Sequence, residues 1–395
     1  MKQIPLRNLR LEYQYMKDEI DTAIGRCLEH QQWILGPETG ELESAISTYL
    51  GVKHCIGVSS GTEALVLSLR ALAIKTTGRE YFDKSDGIIT TPFTFTATGD
   101  AILRAGATPV FIDIDPDTYN IDPVKIREYL DSREGSLNAG ELAVVGIVPV
   151  HLYGRPCDMD AIMGIAESCN LFVVEDAAQS FGGLWADKKL GALGTCGTFS
   201  FFPSKNLAGF GDGGMVSTND DEIAGLVRML SKHGGVDKYN AGHIGYNARI
   251  DTLQAAIVLA KFKYIDALNT KRRDIAKLYN SHLEGVNGLN VTGANPAGED
   301  HRCYHVYNQY TIWVSKRDAL QAYLKEFNIS SMVYYPRTLH KMDVFINSKA
   351  KVFGSLVHAE QACCSVLSLP AEPMQEEDDT RFVIDKVRDF FHQPL

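Results

Sequence analysis

Residues 198–207 read Thr198-Phe199-Ser200-Phe201-Phe202-Pro203-Ser204-Lys205-Asn206-Leu207 and run on into Gly209-Phe210-Gly211-Asp212-Gly213-Gly214. An apolar, aromatic strand ends here on a lysine. A lysine set against aromatic walls loses water, which disfavours its charged form and lowers its pKa, and the neutral amine is the species that forms an imine with an aldehyde. The glycines that follow let the backbone turn tightly beside a bound group. Without neighbours, a lysine at such a turn is most often a solvated surface residue, so its meaning depends on what stands around it.

Outward from this stretch, short apolar or β-branched runs alternate with helical ones between Lys53 and Thr218. The runs are Cys55–Ser59, Ile88–Thr91, Pro109–Ile112, Ala143–Val150, Leu171–Val174, Gly197–Phe202 and Gly214–Ser217. This alternation predicts an α/β fold with a mostly parallel seven-stranded sheet between helices. In such sheets ligands collect at the carboxyl ends of the strands. Two further motifs stand at such ends. Ser59-Ser60-Gly61-Thr62-Glu63 follows a strand and opens a helix, offering backbone N–H groups and a hydroxyl to a phosphate, or else an ordinary helix cap. Asp176, in Val173-Val174-Glu175-Asp176-Ala177-Ala178-Gln179, suits either helix capping or pairing with a protonated pyridine nitrogen.

After residue 250 the texture changes to a long helical stretch from Asp251 to about Tyr279, a strand-like run Tyr307–Val314, a helix over Lys316–Phe327 and a closing helix near Glu376–Phe391. We read a large domain over 1–260 and a smaller α+β domain over 261–395. Lys75–Gly87 and Asp131–Glu141 are expected to be surface excursions. With 39 basic and 49 acidic residues the net charge is −10, which argues against general binding to nucleic acid or anionic lipid. The N-terminal residues lack the apolar core of a secretory signal and no run reaches a membrane span of about 20 residues, so a cytoplasmic location is expected. The eight cysteines form no C-x-x-C pair, and His301, Cys303 and His305 beside a strand read as packing, so no disulfide framework or metal site is expected.

The order and spacing of these motifs resemble the DegT/DnrJ/StrS family of pyridoxal-5'-phosphate (PLP) dependent sugar aminotransferases, of the fold-type-I aminotransferase fold. The likeness spans nearly the whole chain: Ile4-Pro5-Leu6, Gly36-Pro37, Ser60-Gly61-Thr62, Pro149 to Gly154, Glu175 to Gln179, Ser204-Lys205-Asn206-Leu207, Gly245-Tyr246-Asn247-Ala248-Arg249, Tyr335-Pro336 with His340, and Leu367 to Pro370. The resemblance implies that Lys205 is the catalytic lysine holding PLP as a Schiff base, Asp176 pairs with its ring nitrogen, Gln179 lies near its hydroxyl and Phe95 stacks on its ring. Gly61, Thr62, Glu63 and Ser200 would contact the phosphate, and Asn247 would reach the phosphate of the neighbouring subunit in a homodimer. His340 would face the substrate. L-glutamate is the implied donor, and a nucleotide-linked ketosugar or the 8-oxo form of 3-deoxy-octulosonate the acceptor. Relatives with histidine in place of the lysine remove a sugar hydroxyl, so Lys205 favours transamination. Another fold-type-I PLP reaction and a PLP-binding regulator without turnover are the alternatives. The segments Lys75–Gly87 and Asp131–Glu141 are longer than the family pattern, which leaves the acceptor open.

Overall fold

The computed structural model describes residues 2–132, 142–235, 237, 239–291 and 302–392. Seven strands fall on the seven runs read from the sequence: β1 (His54–Val58), β2 (Asp86–Thr90), β3 (Thr108–Phe111), β4 (Ala143–Val148), β5 (Phe172–Asp176), β6 (Cys196–Ser200) and β7 (Gly214–Thr218). They lie in the order β1-β7-β6-β5-β4-β2-β3, and a two-residue strand, Lys351–Val352, pairs with β3 as an eighth member. That strand is exposed and too short to carry an alternation in sequence. β7 runs antiparallel to β1 and β6, and the other neighbours pair in parallel. β2, β5 and β7 are buried at every position, so the apolar runs within them carry no alternation, and the charged residues Asp86, Glu175 and Asp176 stand at their ends.

This topology puts the carboxyl ends of β1, β2, β5 and β6 on one edge, where β7 also begins. Helix α1 (Gly61–Thr77) leaves β1 there, capped by Ser60, whose Oγ accepts from the Glu63 N–H at 3.1 Å. Its residues Ala64–Ala73 are all buried, so it runs as a core helix against the sheet rather than as an amphipathic one. Helix α2 (Thr96–Arg104) leaves the segment after β2. Asp176 stands opposite Thr198 across the β5–β6 pairing, which brings the turn beyond β6 beside the end of β5.

Helices α3 (Thr252–Phe262) and α4 (Ile265–Leu283) replace the single long helix expected from Asp251 to Tyr279. The chain tightens between them, with the Tyr264 N–H donating to the Lys261 carbonyl at 3.0 Å. α3 packs against the N-terminal helices Lys17–His30 and Pro37–Leu50, whereas α4 packs against the closing helix α5 (Glu377–His392), and one straight rod cannot serve both surfaces. No proline or glycine marks this break in the sequence. The strand expected from Tyr307 starts at Tyr310, because Tyr307 takes a left-handed φ of 44°. A second core gathers Ile4, Ile275, Tyr279, Tyr310, Leu320, Leu367 and Val383, with Tyr279 stacked on Tyr310 at 4.6 Å.

The segment Lys75–Gly87 is less of an excursion than expected. Lys75–Thr77 finish α1, Asp86 and Gly87 belong to β2, and Phe82 is buried against Phe172 with ring centres 5.7 Å apart. Glu80 receives the fully buried Arg70 at 2.9 Å and meets His243 Nδ1 at 2.6 Å. Of Asp131–Glu141, Asp131 closes the helix Pro123–Asp131, and residues 133–141 lie outside the described residues. Cys303 sits in the strand Cys303–Tyr304, while His305 is buried against the Tyr307 ring at 3.8 Å and accepts the Tyr307 N–H at Nδ1. His301 lies outside the described residues. No helix among the described residues is long and apolar enough to cross a membrane.

Within β5, Glu175 points away from the Asp176 side and is fully buried. Its Oε1 accepts from the N–H groups of Leu193 and Gly194, both at 2.7 Å, and its Oε2 from that of Gly191 at 2.9 Å. His151 completes the set: its Nδ1 accepts the Cys157 N–H at 3.0 Å, so the proton sits on Nε2, which donates to Glu175 at 3.0 Å. Removing this carboxylate orphans four donors at once, the Gly191 N–H and His151 Nε2 fully buried and the other two partly so. A Glu175→Ala variant is expected to lose about 3–5 kcal/mol of stability in denaturant unfolding of the apoprotein.

Candidate active site

A cavity of about 480 Å³ opens at this carboxyl edge. Of the residues singled out in the sequence, Gly61, Thr62, Phe95, Asp176, Gln179, Ser200 and Lys205 line it together. Glu63, Asn247 and His340 do not line it. The Glu63 carboxylate pairs with Arg104 at 2.6 Å, Asn247 takes the Arg249 guanidinium at its Oδ1, and His340 Nε2 meets Glu360 Oε1 at 3.1 Å. Burial holds the His340 imidazole below its ordinary pKa, against the pull of Glu360.

Lys205 follows a turn in which its own N–H donates to the Phe202 carbonyl at 2.9 Å. The turn is pinned from behind by Asn206, a buried residue whose Nδ2 donates to Asn269 Oδ1 at 2.8 Å and to the Val306 carbonyl at 3.1 Å. Burial pushes the Lys205 amine down to about 8, although the Asp176 charge works in the opposite direction. Asp176 itself is pushed up by burial and drawn back by its two donors, the Thr98 hydroxyl on Oδ2 at 2.8 Å and the Ala178 N–H on Oδ1 at 3.2 Å. Gln179 is locked at both ends, accepting the Tyr153 N–H at 2.7 Å and donating to the Tyr335 hydroxyl at 3.0 Å. Phe95 is 55% exposed at the N-terminal cap of α2, its ring 6.2 Å from that of Tyr335.

The α1 N-terminus serves both readings made of it. The Ser60 cap takes the Glu63 N–H, while the N–H groups of Gly61 and Thr62 have no acceptor within the helix and remain available at the positive end of its dipole. A side chain at Gly61 would bring its Cβ to 2.7 Å from that of Ser200, and one at Gly214 would come within 2.4 Å of the Ser60 carbonyl carbon. The two glycines therefore allow the helix start and the β6 and β7 ends to close into one cradle.

The motif reading missed Thr98, Thr94, Tyr334 and Gln309 as cavity residues and noted Tyr335 without a role. Thr98 meets Asp176 across 78 residues and Tyr335 meets Gln179 across 156, separations at which sequence carries no local signal. Cys27, His30 and Glu38 also come within ligand distance of one another. However, His30 Nδ1 accepts the Gln32 N–H at 3.0 Å, which leaves Nε2 as the proton-bearing donor to Glu38.

An amine of lowered pKa, a carboxylate fixed at the end of the neighbouring strand and an anion cradle fit the aldehyde, ring nitrogen and phosphate of PLP, and with this sheet order they define an enzyme of the fold-type-I PLP class. The chain belongs to the DegT/DnrJ/EryC1/StrS aminotransferase family, whose profile matches residues 14–388, and this bears out the resemblance read in the sequence. As a member it is a PLP-dependent aminotransferase. It is 42% identical over 389 residues to a pleiotropic regulatory protein of Geobacillus stearothermophilus, covering 98% of each chain. It is 38% identical, with the same coverage, to a UDP-N-acetyl-3-dehydro-alpha-D-glucosamine 3-aminotransferase of Acidithiobacillus ferrooxidans. The crystal structure of S. venezuelae DesV in complex with a ketimine intermediate superposes with a TM-score of 0.90 at 33% identity, covering 100% of both chains.

The lowered pKa of Lys205 has a consequence for the apoprotein. Below pH 8 the amine is charged both folded and unfolded, and its burial costs about 3 kcal/mol. Between pH 8 and 10.5 the unfolded chain binds one more proton than the folded one, so stability rises with pH and the cost disappears. The stability gap between a Lys205→Met apoprotein and the parent is expected to be widest at neutral pH and to close by pH 10.5, as read by denaturant titrations across that range.

Proposed function

We propose that this enzyme is a sugar aminotransferase that moves the amino group of L-glutamate to a keto or aldehyde carbon of a sugar, in the making of a surface polysaccharide or lipopolysaccharide. One observation carries the reading: the Lys205 amine, the Asp176 carboxylate and the α1 N-terminus face a single cavity. When bound, PLP supplies a ring that takes up the electron pair left as a carbon loses its proton. Asp176, steadied by Thr98, would hold the proton on the ring nitrogen. Gly61, Thr62 and Ser200 would hold the phosphate, Phe95 would cover the ring face and Gln179 would stand by the ring hydroxyl. Lys205 Nζ is placed to take the α-carbon proton of L-glutamate, whose nitrogen would stay on the cofactor while water supplies the oxygen of 2-oxoglutarate; in the second half-reaction the same amine would deliver a proton to the former carbonyl carbon of the sugar, which leaves with that nitrogen.

The UDP-sugar named for the Acidithiobacillus relative supports a nucleotide-linked ketosugar, and the 8-oxo form of 3-deoxy-octulosonate is the second acceptor we carry. In this reading the chain works in the cytoplasm as a large domain, 1–260, and a small one, 261–395. Two copies form a homodimer in which Asn247 and the phosphate cradle of the neighbour share a site. His340 serves on the substrate side, beyond the Pro92 carbonyl that accepts the Leu339 N–H. The regulatory name of the Geobacillus relative favours a second reading, a PLP-binding regulator without turnover.

Absorbance of the PLP-loaded protein separates these readings. Adding L-glutamate is expected to convert the visible band to a near-ultraviolet one in the parent and to leave a Lys205→Ala variant unchanged. A protein that binds PLP and responds to no amino donor would be a regulator or run a different PLP reaction.

A further inference from the structure

A small recess adjoins the main cavity and shares Ser204, Gln309 and Tyr334 with it. Arg7 and Asn308 also line it. The guanidinium is anchored through Nη2, which donates to the Asn308 carbonyl at 2.6 Å and to Asn308 Oδ1 at 3.0 Å. No carboxylate among the described residues lies within ion-pair range of it. Along this segment, Glu12 is paired with Lys261, and Glu372 accepts the neighbouring Asn8 N–H at 3.1 Å.

Asn308 supplies the second observation. It is 4% exposed, and with Oδ1 engaged by Arg7, its buried Nδ2 has no hydrogen-bond partner among the described residues. A buried amide donor without a partner is costly unless something accepts from it. A cation without a counterion thus lines the recess, beside a buried amide donor without an acceptor. Its volume of about 30 Å³ exceeds the roughly 10–15 Å³ that one water-sized probe occupies, so a small polar group fits it. The positive charge of Arg7 also reaches Lys205 and the fully buried Arg272, adding to the effect of burial on each, so an anion here would relieve an excess of positive charge.

We propose that Arg7 and Asn308 form a carboxylate subsite beside Lys205, which receives a carboxylate of the amino donor or of an acidic sugar acceptor. The proposal rests on the aminotransferase reading above. Arg7 here fixes one end of the substrate while the reacting carbon lies toward Lys205. An arginine suits the task because its planar fork meets both oxygens of a carboxylate at once.

The test uses the PLP-loaded enzyme and the variants Arg7→Met and Arg7→Lys. Spectral titration with L-glutamate gives the apparent affinity for the donor, and calorimetric titration with 3-deoxy-octulosonate probes an acid sugar. The subsite takes the donor if Arg7→Met weakens L-glutamate about tenfold or more, with partial recovery in Arg7→Lys and an unshifted PLP band. If L-glutamate is unaffected and octulosonate binding falls by a similar factor, the subsite takes the acid sugar. Unchanged affinity for both, in variants that keep their PLP band and melting temperature, overturns the subsite. Should Arg7→Met fail to fold, Arg7→Lys and Asn308→Ala read the same two affinities, and no change in either has the same meaning. A parent enzyme that never responds to L-glutamate would instead sink the aminotransferase reading.

Discussion

An amine and a carboxylate cannot be withdrawn from water cheaply, and here Lys205 and Asp176 line one cavity. Burial moves their proton affinities toward each other, the lysine down and the aspartate up, while each charge partly restrains the shift of the other. Such a pair is useful only if neither side chain can drift. The surrounding structure supplies that rigidity through Thr98 and Ala178 on Asp176, and through the Asn206 anchor behind the lysine turn.

The parallel sheet makes the convergence possible. β1, β2, β5 and β6 all deliver their carboxyl ends to one edge, so an anion cradle, an aromatic wall, an acid and an amine arrive together from distant parts of the chain. The later part of the chain closes the site: Tyr335 reaches back to Gln179, and the Tyr153 hydroxyl donates to the Tyr334 carbonyl. The Glu175–His151 group beneath β5 keeps the loops over Gly191–Gly194 and Cys157 in place on the opposite face from the cavity.

The names of similar proteins point in two directions, toward regulation and toward the amination of nucleotide-linked sugars. Chemistry resides in the site rather than in the fold or in a relative's name.

The motifs that announce this protein were legible because they are local. Seven strands show as short apolar runs, since a strand buried on both faces tolerates little else. Lys205, Asp176 and the Ser60-Gly61-Thr62 turn show as polar residues at the ends of such runs, and the family resemblance gathers them into one reading. The break between α3 and α4 was hidden, because packing against two different partners, rather than a proline or glycine, produces it. Thr98, Tyr335 and the Arg7–Asn308 pair were equally hidden: their meaning lies in contacts spanning 78, 156 and 301 residues. Sequence alone therefore determined the class of chemistry, through residue types at strand ends. Which side chains hold the acid, the amide and the bare guanidinium was decided by tertiary packing, because only the closed chain brings those distant groups within hydrogen-bond reach.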